Sequence, residues 1–296
     1  MTDENPEAQP DLTQQPDLAE QRERLLDGWD QASKGWGRQA DRLQEAAEPI
    51  SNWMIARVQP MRGERVLELA AGPGDTGFIA ARKIRPEGTL ICSDASAGML
   101  ELARERAQAQ ALTNVEFKQL QLEWIDLPTA DVDVVLCRFG IMLIVDPAAA
   151  LRECRRVLKP GGRLAVAVWD DAAANPWATI IQDALVELDH APSPPAEGPG
   201  MFALAAPGKL TELLQEAGFL DVELEAVPIV RHYVDVLDWL GETLDLSRQL
   251  AGVWPNLSKD ERTQLRQIIT EDAGKYTDQN GAIALPGSSL VAVASA

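Results

Sequence analysis

Residues 66–78 read VLELAAGPGDTGF, and this stretch decides the fold. A short apolar run (Val66, Leu67, Leu69) ends in small residues and then in Gly72, Gly74 and Gly77. The spacing is G-x-G-x-x-G between an expected strand and an expected helix. Glycines there permit a tight turn and let the backbone approach a ligand at a helix N-terminus. A second apolar run, Thr89-Leu90-Ile91-Cys92, leads to Asp94, 20 residues after Gly74. At that distance a carboxylate can accept both hydroxyls of a ribose. The pattern points to an adenosine-containing cofactor.

Two cofactor classes fit this spacing: a dinucleotide, or S-adenosylmethionine. Glu68 lies inside the first strand and Asp75 inside the loop. A pyrophosphate on a helix N-terminus is anionic, and carboxylates beside it repel it. An acidic strand end suits a ligand that carries a sulfonium and an ammonium group. The residues therefore favour S-adenosylmethionine.

Five segments in order carry a family resemblance. They are VLELAAGPGDTG, ICSDASAGMLELAR, VEFKQLQLEWIDLP, DVVLCRFGIMLIVDP and RRVLKPGGRLAVAVWD, within residues 63–171. The chain resembles the class I S-adenosylmethionine-dependent methyltransferases, near the ubiquinone/menaquinone C-methyltransferase group. The resemblance implies that Trp36, Glu68, Ala70, Gly72, Gly74, Asp94, Ala95, Met99, Gln121, Leu122, Glu123 and Arg138 hold the cofactor. Where the family offers an acid to the adenine amino group, this chain has the uncharged Gln121. Its side-chain oxygen can still accept. Trp124 is expected to flank the base, and Trp29 and Trp36 to close a lid.

The expected fold is a doubly wound α/β sheet with an antiparallel edge hairpin, a helical N-terminal lid and a C-terminal helical insertion. Strands are expected at 65–70, 89–93, 115–119, 132–137, 163–169, 221–229 and 284–294. Between the first five fall helices at 75–83, 97–110 and 147–157; alternation of this kind gives a parallel sheet covered on both faces. Helices are also expected at 177–188 and 207–217. Residues 1–20 read as a disordered acidic tail, 21–60 as the lid, with helices at 19–27 and 37–58, and 61–296 as the methyltransferase domain. Residues 191–200, APSPPAEGPG, read as a linker. An insertion at about 233–279, with helices near 235–250 and 258–275, is expected to lie over the substrate pocket.

The formal charge is −19 and the pI about 4.5. Phosphate-tracking surfaces are basic, so a nucleic-acid partner is not expected. No apolar run reaches about 18 residues, and no leader pattern is present; a cytoplasmic protein without a membrane partner is expected. Cys92, Cys137 and Cys154 lack metal spacing and read as buried thiols. The expected substrate is a small molecule such as a quinone, phenol or polyketide-like metabolite. Oligomeric state stays open, with a homodimer among the options.

Methyl transfer from a sulfonium relies on positioning and exclusion of water, so a catalytic residue is not required. If a base is used, His232 beside Tyr233 is the candidate, against its reading as an ordinary strand-end histidine. His190, the other histidine, reads as a solvated surface residue. The Arg138 side chain either orients an anionic substrate or pairs with a nearby carboxylate. An NAD(P)-dependent oxidoreductase would need a basic or hydroxyl-rich phosphate loop and a Tyr-x-x-x-Lys pair, and neither is present. A non-catalytic cofactor-binding subunit is the third reading.

Overall fold

The computed structural model describes residues 18–193, 195 and 198–296. The acidic tail lies almost wholly outside these residues, as does part of the 191–200 linker. The chain opens with α1 (Leu18–Val58), then runs β1 (Arg65–Leu69), α2 (Asp75–Lys83), β2 (Thr89–Asp94), α3 (Ala97–Ala109) and β3 (Val115–Gln119). It continues with β4 (Val132–Arg138), α4 (Pro147–Val157), β5 (Leu158–Trp169), α5 (Pro176–Glu187), α6 (Lys209–Glu216) and β6 (Leu220–Tyr233). The last elements are α7 (Val236–Leu246), α8 (Arg248–Val253), α9 (Lys259–Asp272) and β7 (Ile283–Ser295).

One seven-stranded sheet has the order β3-β2-β1-β4-β5-β7-β6. The first five strands pair in parallel, and β7 runs antiparallel to both β5 and β6. The expected doubly wound sheet with its antiparallel edge hairpin is present. Val66, Leu67, Leu90, Ile91, Val134, Val135, Leu136, Ala165 and Val166 are fully buried, as strands covered on both faces require. The strand order reverses between β1 and β4, the place where open α/β sheets open a crevice at the carboxyl ends of their strands.

Two features differ from the sequence reading. The lid is one 41-residue helix, not two. Gly28, Gly35 and Gly37 lie in its interior, where each costs up to about 1 kcal/mol relative to alanine. Packing outweighs that cost: Gly28, Ala32, Gly35, Ala47, Ile50, Met54 and Val58 are buried along α1. The expected helix near 235–250 is split at Ser247, which ends α7 and caps α8 by accepting from the Leu250 N–H at 3.3 Å. Helices α5, α7, α8 and α9 share a second hydrophobic cluster around Trp239, Leu240, Leu250, Leu265 and Ile269.

Candidate functional site

The crevice is a cleft that encloses about 1060 Å³ when counted out to its open mouth. Its floor is the loop after β1. Ala70 there has φ 49°, and Phe139, just after β4, has φ 63°. Left-handed backbone at residues other than glycine stores strain, which clusters at binding sites.

The loop's N–H groups are already taken by the protein. Gly72 N donates to Asp94 Oδ2 at 2.9 Å, Gly74 N to the Ala71 carbonyl at 2.8 Å, and Gly77 N to Glu68 Oε1 at 2.7 Å. Asp94 Oδ1 accepts the Ser96 N–H at 2.9 Å. A dinucleotide needs these donors turned towards its pyrophosphate. Here two of them hold carboxylates and the third a backbone carbonyl, so the loop fits a cofactor without an anionic linker. Burial raises the Asp94 carboxyl above its ordinary range, while the Ser96 and Gly72 N–H groups oppose that rise.

Ten of the twelve residues expected at the cofactor site line this cleft: Trp36, Ala70, Gly72, Asp94, Ala95, Met99, Gln121, Leu122, Glu123 and Arg138. Glu68 and Gly74 do not. Glu68 is 3 % exposed and lies beneath the loop, so it does not face the ligand's positive charge. A Cβ on Gly77 would fall 2.2 Å from Glu68 Oε2, so only glycine leaves room for this carboxyl. Oε2 has no hydrogen-bond partner, and burial pushes the group up to about 8.

Asp75 is likewise withdrawn. Its buried carboxylate lies 3.0 Å from Arg138 Nη2 and 3.3 Å from Arg106 Nη2. Arg138 also donates to Ser51 Oγ at 3.2 Å. Of the two roles open to the Arg138 side chain, the ion pair is the one observed.

The roof is α1. Arg22, Leu25, Leu26, Trp29 and Trp36 all face the cleft, at the i, i+3, i+4, i+7 spacing of one helix stripe. Sequence reading found the two tryptophans and missed Arg22, Leu25 and Leu26, although that spacing was the signal. Trp29 and Trp36 meet edge to face with centroids 5.6 Å apart. The Trp36 indole N–H is buried without a protein acceptor, which leaves a donor for a bound group. Arg22 closes the lip: its Nε and Nη2 donate to Glu123 Oε1 at 3.1 and 3.0 Å. Asp30 ties α1 to the start of α3, accepting from Ser96 Oγ at 2.5 Å and from the Gly98 N–H at 3.2 Å.

The inner wall is apolar, built from Phe139, Leu143, Ile144 and Val145 after β4. Trp169 supports it from behind, stacked on Phe139 at 4.0 Å. Trp124 does not flank this cleft. It is 77 % exposed and borders a separate shallow groove with Arg152 and Arg156.

Neither histidine reaches the cleft. His232 is exposed because β6 alternates: Ile229, Arg231 and Tyr233 point inward, so His232 points out. His190 is half-buried rather than solvated, with Nε2 3.6 Å from Glu261 Oε1. The insertion does not cover the cleft either: no residue of 233–279 lines it. Among the described residues no cluster could hold a metal ion. The three cysteines are free and buried, as expected. No described helix is long and apolar enough to cross a membrane.

A family model described as "Methyltransferase domain" matches residues 61–218, more than half of the chain. The chain belongs to this methyltransferase family. The expected resemblance to class I S-adenosylmethionine-dependent methyltransferases holds at that level. Among curated relatives of this chain, the ubiquinone/menaquinone biosynthesis C-methyltransferase UbiE of Xanthomonas campestris is 34 % identical over 132 residues. That alignment covers 44 % of this chain and 52 % of the relative, so the chain spans about half the length of the curated relatives it matches. The chain also shares its fold with the YcgJ protein of Bacillus subtilis: TM-score 0.57, 19 % identity, 83 % of this chain and 97 % of that one. The cyclase SpnF superposes with TM-score 0.54 at 18 % identity, covering 84 % of this chain and 82 % of its own. One fold can host a different reaction, so the activity is argued from the site.

Proposed function

We propose that this protein transfers the methyl group of S-adenosylmethionine to a small, largely apolar acceptor such as a quinone, a phenol or a polyketide-like metabolite. One observation carries the reading: a single cleft is lined both by polar groups, Asp94, Ser96 and Gln121, and by apolar ones, Phe139, Leu143, Ile144, Leu25 and Leu26. Asp94 would accept the ribose hydroxyls, Leu122 and Gln121 would meet the adenine, and the Trp36 N–H would donate to a polar group of the cofactor. When bound, the cofactor supplies an electrophilic methyl group on a sulfonium whose leaving group needs no proton.

Among the described residues, the lining contains no His, Tyr, Cys or Lys. Its carboxylates, Asp94 and Glu123, already accept hydrogen bonds from Gly72, Ser96, Arg22 and Asp146. The chain thus offers orientation and dryness rather than a poised base. This favours an acceptor that is ionised or electron-rich before it binds. The formal charge of −19 speaks against a nucleic-acid partner, whose phosphates call for a basic surface.

Methyl-labelled cofactor incubated with hydroquinones, phenols and enolic polyketides, and in parallel with tRNA and peptides, tests the proposal. Label is expected in the organic extract of at least one apolar acceptor. Label in tRNA or peptide contradicts the acceptor class. No transfer to any acceptor by a protein that binds the cofactor favours the non-catalytic subunit.

A further inference from the structure

Helix α1 has a second working face. One stripe, containing Leu25, Leu26, Trp29 and Trp36, roofs the cleft; another, containing Gly28, Gly35 and Arg42 at successive seven-residue steps, meets the insertion. The α7–α8 junction sits in a notch on that face. A Cβ on Gly35 would lie 2.0 Å from the Asp245 carbonyl oxygen, and one on Gly28 would lie 0.9 Å from Arg248 Nη1. The two glycines that look like helix breakers are the places where a second helix pair presses on the α1 backbone.

Charges fix the contact. The Asp245 carboxylate accepts from Arg38 Nε at 3.0 Å and from Gln39 Nε2 at 2.6 Å. Arg42 donates to Asp238 Oδ1 and Oδ2 at 2.8 and 3.0 Å, and its Nε lies 3.3 Å from Glu242 Oε2. Glu242 is 4 % exposed and also accepts from Tyr233 Oη at 2.9 Å and from Arg231. A buried carboxylate held by two guanidiniums and a phenol resists being pulled apart, because removing one partner strands the others.

We infer that the α7–α8 insertion is a clamp that sets the position of the lid helix over the cleft, with Asp245 and Arg42 as positioning residues that touch no ligand. The clamp acts from outside: it holds α1 from the face opposite α3, and α1 presents Trp29 and Trp36 to the cleft. The ligand-retention part of this inference rests on the proposed cofactor, whereas the mechanical part does not.

Hydrogen exchange along the chain and stopped-flow release of S-adenosylhomocysteine, followed by tryptophan fluorescence, test it in wild type, Asp245→Ala, Asp245→Asn and Gly35→Ala. Asp245→Ala is expected to speed release about tenfold and to quicken exchange over residues 18–44, while β1–β5 exchange as before. Asp245→Asn keeps one acceptor oxygen and should fall between, even if Gly35→Ala does not fold. Wild-type release together with wild-type exchange in α1 overturns the clamp. Faster exchange spread evenly over the sheet overturns it too, because that is general destabilisation. If wild type binds no S-adenosylhomocysteine, the cofactor reading fails and the exchange pattern alone decides the clamp.

Discussion

Replacing Asp94 by alanine lowers the affinity for S-adenosylhomocysteine by at least about a hundredfold, since two hydrogen bonds to a charged acceptor, worth about 1.5–3 kcal/mol each, disappear. The same carboxylate also accepts the Gly72 and Ser96 N–H groups. Its loss therefore frees the loop after β1 and the start of α3, which share the floor of the cleft. Asp94→Asn retains one acceptor oxygen and costs less. Calorimetric titration checks both variants, with circular dichroism to establish that they fold. A loss below about threefold for the alanine variant contradicts the role given to Asp94, since it amounts to less than one net hydrogen bond.

Replacing Glu68 by glutamine lessens the protein's stability loss as pH rises from 6 to 9. Desolvation raises this carboxyl to about 8, from an ordinary value of 4.5, and the Gly77 N–H and Arg138 only partly offset it. Between those values the folded state holds a proton that the unfolded chain has released. Stability linked to Glu68 is therefore complete below about pH 4.5 and falls as pH rises through 8, at up to roughly 1.4 kcal/mol per pH unit. Glutamine stays neutral and keeps an acceptor for the Gly77 N–H. The variant should lose less melting temperature than wild type from pH 6 to 9 and melt above it at the alkaline end, apart from the effects of the buried cysteines and Tyr233 common to both. Parallel curves for the two proteins contradict a neutral Glu68. Asp238 and Asp245, whose carboxylates Arg42 and Arg38 hold below their ordinary range, act in the opposite sense. Their contribution is lost as pH falls through acid values, so the two effects separate on the pH axis.

The parallel sheet and the glycine loop on the floor of the cleft were legible because each is written in local chemistry. Apolar runs such as Val132–Leu136 set the strands, and Gly72 and Asp94 stand at a readable spacing after two of them, while Gln121 came from the family resemblance. What was hidden depends on partners distant in the chain. The lid read as two helices, 19–27 and 37–58, because nothing nearby announces that Arg248 and Asp245 fill the space beside Gly28 and Gly35. Glu68 read as a ligand-facing acid. Whether its carboxyl reaches the cleft or turns under α2 depends on the Gly77 N–H. His232 was misplaced because Val-Pro-Ile-Val-Arg-His-Tyr has no clean apolar alternation. Arg231, buried against the Trp177 ring at 4.4 Å and paired with Glu242, occupies an inward position that sequence alone assigns to solvent. The insertion read as a pocket cover, yet its contacts run to α1 and α5 instead.

The central claim is that the glycine loop serves an adenosine cofactor without a pyrophosphate. Calorimetric titration of the wild-type protein with S-adenosylhomocysteine and, separately, with NADH tests it most directly. Micromolar binding of the homocysteine compound and none of NADH is the predicted result. Binding of NADH, or of neither ligand, would contradict the assignment of the cleft.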